Sequence, residues 1–88
     1  MPESIQIEIY SRPGCHLCDN AKEVIERFAG QYRIRLKVTD VDSDNALREA
    51  YGWEIPVVMI NGEEAFRHRV DSAALERKLK ELWNKSTS

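Results

Sequence analysis

Two cysteines stand three residues apart, Cys15 and Cys18, with His16 and Leu17 between them, and the chain has no others. An apolar run ends just before them at Tyr10, and Pro13-Gly14 breaks it. Behind them, Leu17, Ala21, Val24, Ile25 and Phe28 recur at helical spacing. A C-x-x-C pair between a strand and a helix reads as a dithiol redox site. In the first turn of a helix, residues i and i+3 lie on neighbouring parts of one face. Two sulfurs so placed are close enough to form a disulfide. The first N–H groups of a helix have no partner within it and favour a thiolate over a thiol. Cys15, at the start, is therefore expected to ionise more readily than a free thiol. Cys18, one turn in, is expected to be more buried. In the chemistry that follows, Cys15 attacks a disulfide and Cys18 resolves the mixed disulfide.

A C-x-x-C pair has three other uses. A structural zinc site needs four ligands. Only His16 and His68 are left to complete it, and His16 is badly placed to turn onto the same metal, so no metal ligands are assigned. A structural disulfide closing so short a loop would stabilise little. Two buried, inert thiols are the third alternative.

With 88 residues, the chain is expected to be one small domain over 1–88, holding four short strands and two or three helices. A net charge of −2 argues against a nucleic-acid partner. Neither a signal peptide nor a membrane-spanning apolar run is visible. The expected setting is the cytoplasm, where a cysteine pair is catalytic or metal-binding more often than structural.

The elements that would position the cysteines can be read in order. Ile5, Ile7 and Ile9 alternate with Gln6, Glu8 and Tyr10, the pattern of a strand. The helix carrying the cysteines is expected to stop near Gly30. Ile34, Leu36 and Val38 alternate with Arg33, Arg35 and Lys37. This second strand has a basic face, either a recognition surface or the solvated face of an edge strand. Asp40 to Asn45 offers several N-caps for a short helix, Ala46 to Tyr51, stopped by Gly52. The dense apolar run Ile55 to Ile60 reads as a buried central strand. Asn61-Gly62 is a hairpin signal leading into a last strand, Glu64 to Val70. Asp71-Ser72 caps a final helix with Ala74, Leu75, Leu79, Leu82 and Trp83 as its apolar stripe, and Lys85 to Ser88 reads as a frayed polar tail. The order β-α-β-α-β-β-α predicts one mixed four-stranded sheet flanked by helices. Its first two strands should be parallel, joined by a right-handed crossover, and its last two should form an antiparallel hairpin.

Tyr10-Ser11-Arg12-Pro13-Gly14-Cys15-His16-Leu17-Cys18 and Glu54-Ile55-Pro56-Val57-Val58, together with this element order, resemble the thioredoxin-fold superfamily, and most of all the glutaredoxins and short glutaredoxin-like proteins. The likeness spans Ile5 to Trp83. It implies an α/β thioredoxin/glutaredoxin-like fold and a thiol–disulfide oxidoreductase. It also implies a cis Ile55-Pro56 bond beside the cysteines, with the backbone of Ile55 offered to an extended substrate.

The family pattern is not fully kept. Dithiol glutaredoxins commonly have Pro and Tyr where this chain has His16 and Leu17. His16, if protonated, would favour the thiolate further; otherwise it is an exposed polar residue. Leu17 makes a plain apolar rim. Glutaredoxins usually carry Gly-Gly followed by Asp to hold glutathione; here His68-Arg69 and Asp71 stand at those places. Arg12 matches the family's basic residue before the nucleophile and would pair with a glutathione carboxylate, while Asp71 would meet the amino group. The simpler roles are a solvated charge for Arg12 and an N-cap for Asp71. Thioredoxin's buried acid is missing, with Ile9 in its place, and Trp53 is remote in sequence from the cysteines.

The expected protein thus reduces protein or glutathione mixed disulfides with Cys15 and Cys18. The substrate-binding candidates are Arg12, His16, Leu17, Ile55, Pro56 and Asp71. No bound cofactor is expected, and glutathione is a candidate reductant. The expected partners are a disulfide-containing protein and a reductase, with no nucleic acid or membrane, and the chain is expected to be a monomer. The alternatives are a glutathione-assisted iron–sulfur or metal carrier, and a binding module whose cysteines are idle.

Overall fold

Ile5, Ile7 and Ile9 point to one side of their strand and are at most 3% exposed. Against them pack Ile25 from one helix, Phe28 from the turn that follows it, and Leu75 and Leu79 from another helix. This cluster is the core, and the rest of the chain is arranged around it. The computed structural model describes residues 4–87, with the side chains of residues 4–84. The elements are β1 (Ile5–Ser11), α1 (His16–Glu26), β2 (Ile34–Asp40), a 3-10 turn (Val41–Ser43), α2 (Asn45–Tyr51), β3 (Val57–Ile60), β4 (Glu63–Arg67) and α3 (Ser72–Thr87).

The sheet order is β2-β1-β3-β4. β1 and β2 are parallel from Ile5↔Ile34 to Ser11↔Asp40. β3 runs antiparallel to both β1 and β4. The expected thioredoxin-like α/β architecture, with its mixed four-stranded sheet, is therefore the observed one. β3 is the buried internal strand: Val57 and Val58 are fully buried. α1 and α3 cover the isoleucine face. α2 lies on the other face, where Tyr51 stacks on Tyr10 with ring centroids 4.8 Å apart. Asn61 and Gly62 take φ of 50° and 84°, the two positive values a two-residue hairpin turn requires. β2 is an edge strand, and Arg35 and Lys37 are exposed along it. Among the described residues, no helix is long and apolar enough to cross a membrane.

Several boundaries differ from expectation. α1 ends at Glu26, not near Gly30. Phe28 N–H donates to Ile25 O and Ala29 N–H to Glu26 O, so the last turn tightens into i→i+3 bonds. Phe28 still reaches the core, at 8% exposure. β2 extends to Asp40 because Tyr10 and Ser11 continue to pair with it. β3 starts at Val57, one residue past Pro56, which has no N–H to give the ladder. β4 stops at Arg67, not Val70, because His68 has φ +68°, incompatible with an extended strand. α3 continues helical to Thr87 where a frayed tail from Lys85 was expected. Met1–Glu3 and Ser88, the ends of the expected 1–88 domain and tail, lie outside the described residues.

α2 is capped at its start by Asp44, whose carboxylate accepts Ala46 N–H at 2.7 Å. At its end the N–H of Gly52 donates to Arg48 O at 2.9 Å. Gly52 is buried, and a Cβ there would sit 2.5 Å from Arg48 O and 3.4 Å from Arg12 Nη2. Its φ of −54° is ordinary, so glycine is needed for space alone. Gly52→Ala is therefore expected to lower stability by about 1–3 kcal/mol, the usual cost of overpacking. Urea unfolding of the two proteins measures it.

Candidate functional site

The cysteine pair is placed by a strand end, a turn and a helix start. β1 finishes at Ser11, and Gly14, at φ +82°, turns the chain. Cys15 N–H closes that turn on Arg12 O at 3.2 Å. Cys15 is the N-cap of α1, in extended conformation. Its Sγ accepts the N–H of Cys18 at 3.1 Å. The sulfur thus occupies the place of a capping oxygen, on one of the N–H groups the helix cannot satisfy internally. This is the geometry that stabilises negative charge on Cys15 in the reduced form.

Cys15 and Cys18 are joined as a disulfide, with Cα atoms 5.2 Å apart. Cys18 is buried at 5% exposure and Cys15 is only half-buried. An incoming group therefore reaches Cys15 first. His16 and Leu17 are both exposed on the rim, and Leu17 is 51% exposed.

The second motif lies alongside. Val57 pairs with Tyr10, so the preceding Ile55-Pro56 continues next to the loop that leaves β1. The Ile55-Pro56 bond is cis, as the resemblance implies, and Pro56 is buried. The backbone of Ile55 is bracketed by bonds it does not share: Glu54 N–H donates to Tyr51 O, and His68 N–H to Pro56 O, both at 2.8 Å. Among the described residues, the N–H and C=O of Ile55 make no backbone hydrogen bond.

Arg12 is not a free charge. Its Nε lies 2.7 Å from Asp42 Oδ2 and its Nη2 3.0 Å from Oδ1, a two-bond pairing. Its Nη1 donates to Gly52 O at 3.4 Å. The guanidinium hydrogen bond holds the Asp42 carboxyl below its ordinary value of 3.8. Arg12 thereby joins the Cys15 loop to the 3-10 turn and to the end of α2. A ligand carboxylate at Arg12 would compete with Asp42.

His68, at one of the positions where glutathione-binding relatives have glycine, keeps the left-handed backbone that glycine favours. Its Nε2 lies 2.8 Å from Glu54 Oε2, and Arg67 Nη1 lies 3.9 Å from the same oxygen. The side chain thus ties the end of β4 to the residue before Ile55. Arg69 is exposed. Asp71 is exposed just before α3, and its carbonyl accepts Leu75 N–H at 2.9 Å. Among the described residues, no group of three or more His, Cys, Asp or Glu side chains could hold a metal ion.

Three contributors were not identified from sequence: Asp42 as the partner of Arg12, Glu54 as the partner of His68, and Trp53. The first two pairings have no local signal, since thirty residues separate Arg12 from Asp42. Trp53 had one: it stands two residues before Ile55. It follows Gly52, whose carbonyl accepts from Arg12 Nη1, although it is remote in sequence from the cysteines.

Comparison with known proteins agrees with this geometry. Residues 6–80 match the family described as Glutaredoxin-like domain (DUF836). A glutaredoxin-like protein of Dictyostelium discoideum is 34% identical over 79 residues, covering 83% of this chain and 73% of that protein. A structural-genomics protein from X. campestris superposes with a TM-score of 0.71 at 28% identity, over 85% of this chain and 96% of that one. A mutant thioredoxin from Halobacterium salinarum superposes with a TM-score of 0.62 at 25% identity, over 91% of this chain and 75% of that one.

The Arg12–Asp42 pairing has a pH signature. Asp42 has a lowered folded value, so its stabilisation is complete above the unfolded 3.8 and is lost as pH falls through the folded value. Asp42→Asn is expected to be less stable than the parent at neutral pH, and the gap should close on acidification below 3.8. Denaturation midpoints of both proteins across that range measure it.

Proposed function

The chain belongs to the glutaredoxin-like domain family, and on that premise we propose that it is a thiol–disulfide oxidoreductase whose redox centre is Cys15 and Cys18. The observation that carries the reading is the seat of Cys15 Sγ on the Cys18 N–H at the start of α1, with its partner sulfur buried behind it.

In the reduced protein, the Cys15 thiolate attacks one sulfur of a substrate disulfide. A new S–S bond forms, and the other substrate sulfur leaves as a thiolate and takes up a proton. Cys18 then gives up its proton and attacks the Cys15 sulfur, releasing the second substrate thiol. Two electrons pass to the substrate and the Cys15–Cys18 bond closes. An external dithiol or thiol, a reductase or glutathione, returns the electrons.

Ile55 and Pro56 lie next to the loop that leaves β1 and carries Cys15, and the unshared backbone of Ile55 suits an extended chain. His16 and Leu17 border it. Arg12 and Asp71 are the residues a glutathione would use. Two features favour protein disulfides over glutathione mixed disulfides: Arg12 is engaged with Asp42, and His68 brings a side chain where glycine would admit close backbone approach. This reading places the protein in the cytoplasm, acting as a monomer.

Cys15→Ser is expected to bring reduction of protein disulfides down to the uncatalysed rate. Cys18→Ser is expected to stop after the first exchange and leave a covalent mixed disulfide with substrate. Turnover assays and mass spectrometry of the trapped product check both. A Cys18→Ser protein fully active on protein disulfides would overturn the assignment of Cys18.

A further inference from the structure

The second face of β1 takes no part in the core. Ile5, Ile7 and Ile9 point towards α1 and α3, so Gln6, Glu8 and Tyr10 point the other way. In register with them, Gln6 pairs with Arg35 and Glu8 with Lys37 on β2, and Glu8 pairs with Met59 on β3. Residues paired in this way share a face. The basic row of β2 therefore stands on the same side of the sheet as Met59. α2 lies on this side too, but it buries none of its own residues, and its Tyr51 meets the sheet at Tyr10.

Next to Tyr10 the face is open and concave. A cavity of about 490 Å³ is lined there by Gln6, Glu8, Tyr10, Arg35, Lys37 and Met59. That volume falls among those of sites that hold small organic ligands. Met59 and Tyr10, both half-buried, supply its apolar surface, and a methionine side chain adapts readily to what it covers.

The charges of the cavity do not balance. Glu8 is half-buried and already engaged: Thr39 Oγ1 donates to Glu8 Oε2 at 2.6 Å, and Lys37 Nζ lies 3.9 Å from the same oxygen. Burial, and after it the charge of Glu8, raise the Tyr10 pKa above its ordinary 10.0, so the hydroxyl stays neutral. Lys37 thus has its counter-charge. Arg35 has none: among the described residues its guanidinium has no hydrogen-bond or ion-pair partner. One positive charge is left over at this cavity, in a chain whose net charge is −2. Arg35 and Lys37 are two residues apart on one strand, so their like charges leave the backbone about 7 Å apart on one face. An anion would relieve that repulsion.

We infer that this cavity is a binding site for a small amphipathic organic monoanion, with its oxyanion head on Arg35 and its apolar body over Met59 and the Tyr10 ring. The guanidinium presents a planar fork that a carboxylate matches with two parallel hydrogen bonds. A polyanion such as a nucleotide fits less well, because its further negative charge would face Glu8. The site lies across the sheet from α1, and it does not depend on the reaction proposed for Cys15 and Cys18.

The test titrates the full, isotopically labelled chain with cinnamate at low ionic strength and follows the backbone amides by NMR. Cinnamyl alcohol, with the same apolar body and no charge, and acetate, with the charge and no apolar body, are the comparison probes. Cinnamate is expected to shift the amides around Glu8, Arg35 and Met59 saturably. Each comparison probe should bind about tenfold more weakly or worse. Arg35→Gln should raise the Kd for cinnamate about five- to tenfold. Arg77→Gln, exposed on α3, should leave it unchanged.

The same spectra show whether each variant is folded, and if Arg35→Gln is not, the comparison of acid with alcohol on the parent chain decides alone. Three results overturn the site: no saturable shift of these amides, equal affinity for cinnamate in Arg35→Gln, or a comparison probe that binds as tightly as cinnamate. None of these results bears on disulfide reduction, and a chain without that activity could still show every expected shift.

Discussion

Three segments far apart in sequence meet at the guanidinium of Arg12: the exit of β1, the 3-10 turn through Asp42, and the end of α2 at Gly52. The two halves of the candidate site depend on this junction. One half is the turn that carries Cys15, the other the stretch from Trp53 to Pro56. Each is anchored to the sheet at its own end, by β1 and by β3. Between those anchors, among the described residues, Arg12 alone hydrogen-bonds the turn to Gly52, and it does so with planar, forked bonding that a lysine could not reproduce. The absence of a side chain at Gly52 is the steric counterpart of that link.

A second tie works from the opposite edge. β4 ends where His68 enters the left-handed region, and from there its side chain reaches Glu54. A non-glycine residue in that conformation is unusual, and histidine is among those that tolerate it best. The residue thus closes the space that glycine would leave and steadies the stretch that presents Ile55. The cysteine half follows a different rule. There the free N–H groups of α1 do the work, and the sulfur of Cys15 takes the role usually given to a serine or aspartate oxygen.

The parts of this arrangement that follow local rules were readable in the sequence. Ile5, Ile7 and Ile9 declare a half-buried strand by alternation, Ile55 to Ile60 declare a buried one by density, and Asn61-Gly62 declare the hairpin. Cys15 and Cys18 declare themselves by spacing. What could not be read depends on contacts across the fold. Val41 is fully buried although it lies in an aspartate-rich stretch, because the 3-10 turn folds it inward. The early end of α1 reflects where Phe28 must go to join the core. The partners of Arg12 and His68 are set by which loops the sheet brings together. Trp53 is the instructive case: distance along the chain hid that it follows the glycine bonded to Arg12.

The two ties also differ in kind from the core that supports them. The core is apolar and dry, so dissolved ions at physiological levels act on it only weakly. Arg12–Asp42 is a half-exposed ion pair and His68–Glu54 a half-exposed polar contact, and at physiological ionic strength charges in such positions are partly screened. The scaffold and the loops that present the cysteines therefore answer to different properties of the surrounding solution. A rise in salt loosens the grip between the loops while leaving the sheet and its helices as they were.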